Sequence, residues 1–368
     1  MLYYLAKYLM DSNQQLGFLR LFSYISFRAI GGALTSILIM FLLTKPFIHY
    51  FHKRKVLDYA RDTGIPSSSD KSGTPTMGGV LIAISFLFSS ILWIPFGNHF
   101  VSLTLLSFTY FAFLGFFDDI SKLKKKSGEG GHSEKLKLVL QGLFALIFIL
   151  LIFNDFTPFP EKEISSLYIP ILKNPILNSY LIYGVFLFFY IIGVCNSVNL
   201  SDGLDGLAIV PSTFVISVLG VFAYIMGNAL QSKYLNFPFF SGAGELTVLA
   251  SIFAGSAIGF LWYNAYPAQI FMGDTGSLAI GGLIASMTIL LKQEFLFLIL
   301  GGFFVVEALT SQIQDKIGVN FIGRRIFHRA PIHHELQYKG IAENKVVVRL
   351  WIISGILALL AIATIKIR

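Results

Sequence analysis

Residues 179–198 read SYLIYGVFLFFYIIGVCNSV, twenty consecutive residues without a charged side chain. An α-helix of about 20 apolar residues crosses the roughly 30 Å hydrocarbon core of a bilayer, so this stretch predicts a transmembrane helix. Apolar stretches of this kind recur along the 368 residues of the chain. We predict about ten spans, at residues 25–44, 77–96, 100–117, 138–153, 179–198, 206–227, 246–263, 276–291, 295–313 and 346–366.

The composition agrees with a chain that lies almost wholly in the membrane. Hydrophobic residues make up 55% and charged residues 13% of the sequence, whereas a soluble domain carries about 25% charged residues. This difference excludes an ordinary cytosolic enzyme and a disordered chain. The single cysteine, Cys195, excludes a disulfide framework. We therefore predict an all-α, polytopic integral membrane protein with one domain, residues 1–368, in which residues 2–10 form an amphipathic helix at the membrane surface.

The distribution of lysine and arginine predicts an orientation. The loops after predicted spans 1, 3 and 9 carry eighteen of these residues, and the loops on the opposite side carry four. Because basic loops stay in the cytoplasm, both termini are predicted to be extracytoplasmic. The net charge of +8 then indicates contact with anionic membrane lipids, and we expect no nucleic-acid partner.

Aspartates collect on the predicted cytoplasmic face. An aspartate at the bilayer centre costs roughly 2.5–3.5 kcal/mol, so such residues are placed sparingly. Five of the eleven aspartates lie at cytoplasmic span ends, namely Asp118, Asp119, Asp202, Asp205 and Asp274. We expect the active site to be formed by the cytoplasmic loops at residues 45–76, 118–137, 199–205, 264–275 and 314–345.

Three of these carboxylates suggest a cation site. Asp118 and Asp119 are adjacent, and neighbouring carboxylates repel one another unless a cation or a proton lies between them. Such a pair is typical of Mg²⁺ sites that also use substrate oxygens, although a solvated helix end is an alternative. Asp274 lies between two glycines at the start of a predicted helix, where it either caps that helix or belongs to the site.

A second polar segment follows the span at residues 179–198. The spacing of Asn199, Asp202 and Asp205 predicts that a helical turn would place all three on one face. The alternative is a polar loop between helices. Further along, Phe271 offers a flat face on which a nucleotide base could stack, or else it belongs to the interfacial aromatic belt.

Residues 69–79, SDKSGTPTMGG, lead into the second span. Thr76 is expected to cap a helix whose free N–H groups attract anions, and Lys71 adds a positive charge. The glycines at 78 and 79 equally favour a close helix-packing contact. Both interpretations stay open at the level of sequence.

His333 and His334 follow a basic segment. Adjacent residues point about 100° apart on a helix, so the pair is poorly placed to bind one metal ion. Hydrogen bonding to a phosphate is favoured, and a basic patch on anionic lipid is the alternative. Together with the carboxylates and lysines, the pattern predicts a phosphate reaction at the inner membrane face, where a divalent cation offsets the repulsion between phosphates.

The chain resembles the phospho-N-acetylmuramoyl-pentapeptide-transferases, a branch of the polyprenyl-phosphate N-acetylhexosamine-1-phosphate transferase family. The resemblance runs nearly end to end. It is carried by residues 71–79 (KSGTPTMGG), 117–119 (FDD), 196–208 (NSVNLSDGLDGLA), 266–277 (YPAQIFMGDTGS) and 330–334 (APIHH). It implies ten helices in a bacterial inner membrane, with the active site facing the cytoplasm. It also implies Mg²⁺-dependent transfer of phospho-MurNAc-pentapeptide from UDP-MurNAc-pentapeptide to undecaprenyl phosphate, which gives lipid I and UMP in the first membrane step of peptidoglycan synthesis. A homodimer is common in that family.

The resemblance also implies residue roles. Asp274 would bind Mg²⁺, and Asp118 would act as a base on undecaprenyl phosphate. In a competing mechanism Asp119 would be a nucleophile, and the three aspartates together are the expected metal ligands. His333 is expected to be catalytic, like the three aspartates. His333 and His334 would hold the sugar-phosphate part of the donor. The expected substrate-binding residues are Lys71, Leu200, Gly203, Asp205, Asn264 and Phe271 around uridine, Thr76, Asn199 and Asp202 in the neighbouring cleft, and Lys122 and Lys126 at the phosphates.

The sequence departs from the family pattern at two places. The usual third histidine is Glu335, and a glycine-rich segment, residues 127–132, leaves the assignment of Lys135 open. One-step and covalent two-step mechanisms also stay open. The alternative donor is UDP-GlcNAc or another UDP-hexosamine. A lipid flippase or transporter is the rival class. Transporters place charges near the bilayer midplane and often contain inverted repeats, whereas here the polar residues collect at one face and the sequence shows no repeat.

Overall fold

The computed structural model describes residues 1–12, 14–54, 73–125, 131–154 and 156–367. Its α-helices are α1 (Leu2–Ser12), α2 (Ile25–Arg54), α3 (Gly79–Trp93), α4 (His99–Lys125), α5 (Glu134–Phe153), α6 (Tyr180–Leu200), α7 (Ile209–Met226), α8 (Ala229–Tyr234), α9 (Glu245–Asn264), α10 (Gly273–Leu290), α11 (Phe297–Leu300), α12 (Gly302–Gln312), α13 (Ile332–Tyr338) and α14 (Glu343–Ala363). Two short strands, β1 (Ser166–Leu167) and β2 (Leu177–Asn178), pair antiparallel between α5 and α6. The predicted all-α class is confirmed.

Eight helices within the described residues are long and apolar enough to cross a membrane: α2, α4, α5, α6, α7, α9, α10 and α14. The predicted span at 77–96 corresponds to the shorter α3, which has 15 residues. The span at 295–313 is divided into α11 and α12 at Gly301, where a Cβ would overlap the ring of Phe297. The total of ten spans and the side of each terminus stay predictions.

Two helices continue well beyond their predicted apolar spans. The first span was predicted to end at residue 44, but α2 extends to Arg54. Similarly, α4 extends past residue 117 to Lys125. The extension of α4 is stabilised by Asp118 and Lys122, which pair four residues apart along the helix. The polar end of α4 is therefore helical and does not form a loop.

Helix α10 lies at the centre of the bundle. Every residue from 275 to 290 is buried, and the helix packs against α3, α4, α6 and α7. Small residues allow this close approach: a Cβ at Gly79 would overlap the backbone of Gly276, and one at Gly115 would overlap the carbonyl group of Asp274. The interpretation of residues 78–79 as a helix-packing contact is confirmed. It places the starts of α3 and α10 beside the end of α4.

The outer surface of the bundle is apolar. Large exposed side chains include Leu181 on α6 and Leu359 on α14, which are 78% and 68% exposed. A soluble monomer rarely exposes an extended apolar surface, so this surface is suited to lipid. The protein is a multi-pass membrane protein.

A tight connection links α10 and α11. The Lys292 side chain is buried and donates to the Ile164 carbonyl group and to the Tyr183 hydroxyl group. That hydroxyl group donates in turn to Glu294. The buried charges of this connection are thus hydrogen-bonded, and they attach it to α6 and to the segment before β1.

We expect Gly79→Leu to lower the free energy of unfolding by about 1–3 kcal/mol or more, because the added side chain overlaps α10. Thermal unfolding in detergent measures the effect. Gly193→Leu is the matched control, since no described atom lies within 4 Å of a Cβ at Gly193. Equal melting temperatures for the two variants would contradict this packing argument.

Candidate active site

The Asp119 carboxylate on α4 holds the first turn of α10. It accepts hydrogen bonds from the backbone N–H groups of Asp274 and Thr275, at 3.0 and 2.9 Å, and from the Thr275 hydroxyl group at 2.6 Å. The first N–H groups of a helix lack partners within the helix, and no α10 side chain caps them. The alternative that Asp274 caps its own helix is therefore wrong. Gly273, with φ +74°, allows the close approach, since a Cβ there would lie 2.7 Å from the Asp119 carboxylate.

Asp118 and Asp274 face two lysines. Lys122 Nζ lies 3.1 Å from Asp118 Oδ2 and 2.9 Å from Asp274 Oδ2. Lys137 Nζ lies 2.7 and 2.9 Å from the same two oxygens. We call these four residues the carboxylate–lysine cluster. Its charges lie at the junction of α4, α5 and α10, where partial burial limits screening by solvent.

Lys137 is a site residue that the sequence interpretation missed. Helix α5 begins after Ser133, whose hydroxyl group accepts the N–H of Leu136. Lys135 and Lys137 then project about 200° apart around the helix. Lys135 is exposed, whereas Lys137 reaches the carboxylates. The sequence alone could not assign a lysine of this segment to the site. Residue spacing does not reveal where α5 is capped, and hence which of its side chains face the carboxylates.

Gly131 and His132, which precede α5, also contact the cluster. The backbone N–H of His132 donates to Asp118 Oδ1 at 2.7 Å. A side chain at Gly131 would collide with that carboxylate. Asp118 is thus held by a backbone donor on one oxygen and by two lysines on the other. Lys126, predicted to meet phosphate, lies outside the described residues.

Asn199 extends the cluster toward α6. Its amide nitrogen donates to Asp274 Oδ1 at 3.2 Å and to the Ser277 hydroxyl group at 2.8 Å. The expectation that Asn199 shares one helical face with Asp202 and Asp205 is wrong, because α6 ends at Leu200. The two aspartates lie instead in the turn formed by residues 201–208.

Asp202 lies within the electrostatic field of the other carboxylates. Burial, together with the nearby Asp274 and Asp119 carboxylates, raises the pKa of Asp202 to about 7. At neutral pH this group is therefore partly protonated. Asp202 can therefore donate or accept a hydrogen bond at the turn formed by residues 201–208.

Asp205 and Asn264 organise the loop between α9 and α10. Asp205 Oδ2 accepts the N–H of Ala268 at 3.0 Å. Asn264 accepts the N–H of Gly206 and donates to the Ile270 carbonyl group. Two residues expected to bind uridine thus hold the turn at residues 201–208 against the loop at residues 265–272.

Phe271 lies where this loop meets the segment before α3. Its N–H donates to the Pro75 carbonyl group, and its carbonyl group accepts the N–H of Gly78. The ring is partly buried, as are Thr76 and Leu200. The expectation that Thr76 caps α3 is wrong, because Gly78 occupies the capping position without a side-chain bond. Lys71 lies outside the described residues.

The two histidines occupy the first turn of α13. His333 is 1% exposed, and its Nδ1 lies 2.9 Å from Glu307 Oε2 on α12. His334 Nδ1 lies 3.1 Å from Gln337 Oε1. A Cβ at Gly203 would overlap His333 Nε2. The structure therefore brings His333 to the turn that carries Asp202, Gly203 and Asp205, although these segments are far apart in sequence.

Glu335, at the position of the usual third histidine, stabilises the segment before α13. It accepts the N–H of Arg329 at 3.0 Å and lies 3.1 Å from His328 Nδ1 and 3.3 Å from Lys339 Nζ. These contacts, the Arg329 hydrogen bond foremost, lower the pKa of Glu335 to about 2. Glu335 therefore acts here as a structural anion.

The carboxylate–lysine cluster is compatible with a magnesium ion. Across the described ranges, no three His, Cys, Asp or Glu side chains form a ready ligand set. However, Mg²⁺ is commonly bound by one or two carboxylates plus substrate phosphates and water. Asp118 and Asp274 present hard oxygen atoms that converge on the same two ammonium groups. Asp119 is less suitable, because it accepts three hydrogen bonds from α10.

Comparison with known proteins places this site in a family. The profile of glycosyl transferase family 4 matches residues 100–292. Signature 1 of the phospho-N-acetylmuramoyl-pentapeptide-transferases matches residues 71–82. The phospho-N-acetylmuramoyl-pentapeptide-transferase of Pelagibacter ubique is 42% identical over 371 residues that cover the whole of both chains. Its namesake from Desulfotalea psychrophila is 43% identical over 347 residues, which cover 94% of this chain and 95% of the relative.

The helical membrane bundle and the profile match, which covers more than half of the chain, define a membrane-embedded transferase of glycosyl transferase family 4. Within that class, the full-length relatives are more specific than the profile. The chain belongs to the phospho-N-acetylmuramoyl-pentapeptide-transferase family.

We expect Glu335→His, which introduces the residue usual in the family, to loosen the start of α13. The substituted side chain loses the carboxylate that accepts the Arg329 N–H, and when protonated it repels Lys339. Hydrogen–deuterium exchange in residues 326–340 should increase. Glu161→His, at an exposed position, is the control. Unchanged exchange in the Glu335 variant would argue against the structural role.

The raised pKa of Asp202 predicts a pH-dependent stability. An unfolded aspartate titrates near 3.9, so the folded chain binds more protons between about pH 4 and pH 7. The contribution of Asp202 to the free energy of unfolding therefore falls as the pH rises through this window. Asp202→Asn removes the titration. Its melting temperature relative to the unsubstituted protein should rise between pH 5 and pH 8, and a constant difference would refute the raised pKa.

Proposed function

We propose that this protein transfers phospho-MurNAc-pentapeptide from UDP-MurNAc-pentapeptide to undecaprenyl phosphate, giving lipid I and UMP. The proposal is supported by the full-length similarity to enzymes of that name. The observation that carries it is the carboxylate–lysine cluster, where Asp118 and Asp274 share Lys122 and Lys137. Such a cluster can bind phosphates and place a carboxylate beside them in one small region.

In the proposed reaction, a phosphate oxygen of undecaprenyl phosphate attacks the sugar-bearing phosphorus of the donor. A new P–O bond forms, and the bond to the UMP phosphate breaks. Lys122 and Lys137 bind the phosphate oxygens, because each ammonium group can exchange a carboxylate partner for a phosphate. Asp118 takes the proton from a singly protonated lipid phosphate. Asp119 keeps α10 in position, and its predicted nucleophilic role in a two-step mechanism stays a prediction.

We assign Mg²⁺ to Asp274 as the carboxylate ligand; Asp118, also predicted as a ligand, lies beside it and is kept as the base. When bound, Mg²⁺ would neutralise charge that develops on the diphosphate oxygens. Asn199 donates to Asp274 Oδ1 and so fixes the orientation of that carboxylate. Asp119 was predicted as a third ligand, but its hydrogen bonds to α10 favour an anchoring role.

The remaining substrate contacts follow from the loops around the cluster. Uridine is proposed to bind where the turn at residues 201–208 meets the loop at residues 265–272, in contact with Phe271, Gly203, Leu200, Asn264 and Asp205. We call this region the cleft. His333 faces the turn beside that cleft. The excess of basic residues in the loops that flank the cluster supports an active site that faces the cytoplasm of a bacterial inner membrane. The homodimer stays a prediction.

The other donors and the transporter class are less well supported. UDP-GlcNAc would use the same cluster, but the relatives that cover the whole chain are named for the MurNAc-pentapeptide donor. A transporter would place its main cluster of charged groups near the middle of the bundle. Here the cluster lies at the starts of α5 and α10 and near the end of α4.

The reaction is tested by UMP release from the purified protein in detergent with Mg²⁺, undecaprenyl phosphate and UDP-MurNAc-pentapeptide. We expect UMP that depends on the lipid and disappears with EDTA. UDP-GlcNAc is run in parallel, and release from that donor instead would keep the chemistry and change the substrate. No UMP from either donor, in a protein shown to be folded, would overturn the transferase proposal.

We expect Asp274→Asn to reduce UMP release at least about 100-fold, because the variant loses the charge that faces Lys122, Lys137 and the proposed metal. The backbone N–H that donates to Asp119 is retained, so the variant should melt cooperatively. Asp11→Asn, at an exposed position in α1, is the matched control. Near-normal turnover of the Asp274 variant would exclude the metal assignment.

A further inference from the structure

Glu307 is a buried carboxylate that the proposed reaction has not used. It lies on α12 and is 0% exposed. A carboxylate at this depth is costly unless a partner compensates it. Its described partner is His333 of α13, whose Nδ1 lies 2.9 Å from Glu307 Oε2. The residues are 26 positions apart in the chain, so the pair joins two separate helices.

This contact determines which ring nitrogen of His333 faces the cleft. An ionised carboxylate only accepts hydrogen bonds, so Nδ1 must carry a proton when it faces Glu307. The other nitrogen, Nε2, is buried and has no hydrogen-bond partner among the described residues. A buried polar atom without a partner is uncommon in a folded protein and indicates a missing ligand or water.

The free nitrogen is directed at the turn formed by residues 201–208. A Cβ on Gly203 would overlap Nε2, so the ring lies directly against the backbone of that turn. Asp202, the preceding residue, is influenced by Asp274 and Asp119 of the site. Nε2 therefore faces the turn that carries Asp202 and Gly203, and Nδ1 faces Glu307.

We infer that Glu307 is the positioning residue of His333: it accepts a hydrogen bond from Nδ1–H and so directs Nε2 at the turn formed by residues 201–208, where the sugar-phosphate part of the donor is proposed to bind. This inference rests on the proposed transfer reaction. In the neutral ring Nε2 accepts a hydrogen bond from a sugar hydroxyl or amide group. When Nε2 also carries a proton, Nε2–H donates to a phosphate oxygen. Either way, the carboxylate fixes the ring orientation, as carboxylates do behind metal-bound and catalytic histidines.

The test is a double-mutant cycle with Glu307→Gln and His333→Gln, assayed by UMP release. We expect E307Q alone to lower kcat/KM for the donor about 10- to 100-fold, the range seen when a carboxylate behind a functional histidine is removed. In the H333Q protein, the added E307Q change should alter kcat/KM less than about twofold, because the residue that it positions is already gone. E307D keeps the charge and should retain more activity than E307Q. Equal effects of E307Q in both backgrounds, or full activity of E307Q, would overturn the inference.

A second readout does not depend on activity. Protein labelled with ¹⁵N-histidine contains seven histidines, and the H333Q spectrum identifies the signals of His333. We expect a protonated Nδ1 in the unsubstituted protein and a changed tautomer or charge state in E307Q, with E307D closer to the unsubstituted protein. An unprotonated Nδ1, or spectra that E307Q leaves unchanged, would contradict the inference. If the unsubstituted protein releases no UMP, the proposed function fails, and these spectra still decide the role of Glu307.

Glu294→Gln is the matched control for loss of a buried carboxylate. Glu294 accepts the Tyr183 hydroxyl group and lies beyond the far end of α10. Because α10 has 18 residues, its ends are roughly 27 Å apart. We expect E294Q to lower the melting temperature without altering the His333 signals or kcat/KM by more than about twofold. If E307Q fails to fold, E307D and the cycle between E307D and H333Q decide the question.

Discussion

The hydrogen bonds between the Asp119 carboxylate and the first turn of α10 control the arrangement of the site. These hydrogen bonds give partners to N–H groups at the start of α10, which the centrally placed helix could not expose to water. They also hold the negative charge of Asp119 at the positive end of the α10 dipole. The same contact sets the depth of α10 relative to α4. Asp118 is next to Asp119 in the chain, and the backbone N–H of Asp274 donates to the Asp119 carboxylate. The Asp119 carboxylate therefore fixes the distance between the carboxylates of Asp118 and Asp274.

Close glycine contacts make this arrangement possible. Gly79 and Gly276 bring α3 and α10 into backbone contact, and Gly115 does the same for α4 beside Asp274. Such contacts leave little freedom for sliding, so the carboxylate–lysine cluster is built on rigid helix ends. The turn at residues 201–208 and the loop at residues 265–272 are likewise held together, by the hydrogen bonds of Asp205 and Asn264.

Much of this architecture follows from the sequence. Apolar length predicts the helices, and the position of the aspartates at span ends predicts the region of the site. The spacing of residues does not reveal how helices are rotated or which residues meet across the bundle. Lys137 was missed for the first reason. Two contacts were missed for the second reason. They are the hydrogen bonds from the start of α10 to Asp119 on α4, and the contact of the Glu307 carboxylate with His333. Both join segments that are distant in the sequence. Glu307 lies within a predicted apolar span, and a charge at that position is the one sequence signal that could have marked it.

The charge balance explains why the cluster suits a phosphate reaction. Asp118, Asp119 and Asp274 carry more negative charge than Lys122 and Lys137 offset, so the site is anionic before substrate binds. Phosphates entering such a site add repulsion worth several kcal/mol for each close pair. The lysines alone can stabilise a phosphate only by leaving the carboxylates, which would then face one another without compensation. A divalent cation held at these carboxylates, as proposed above, would relieve both conflicts.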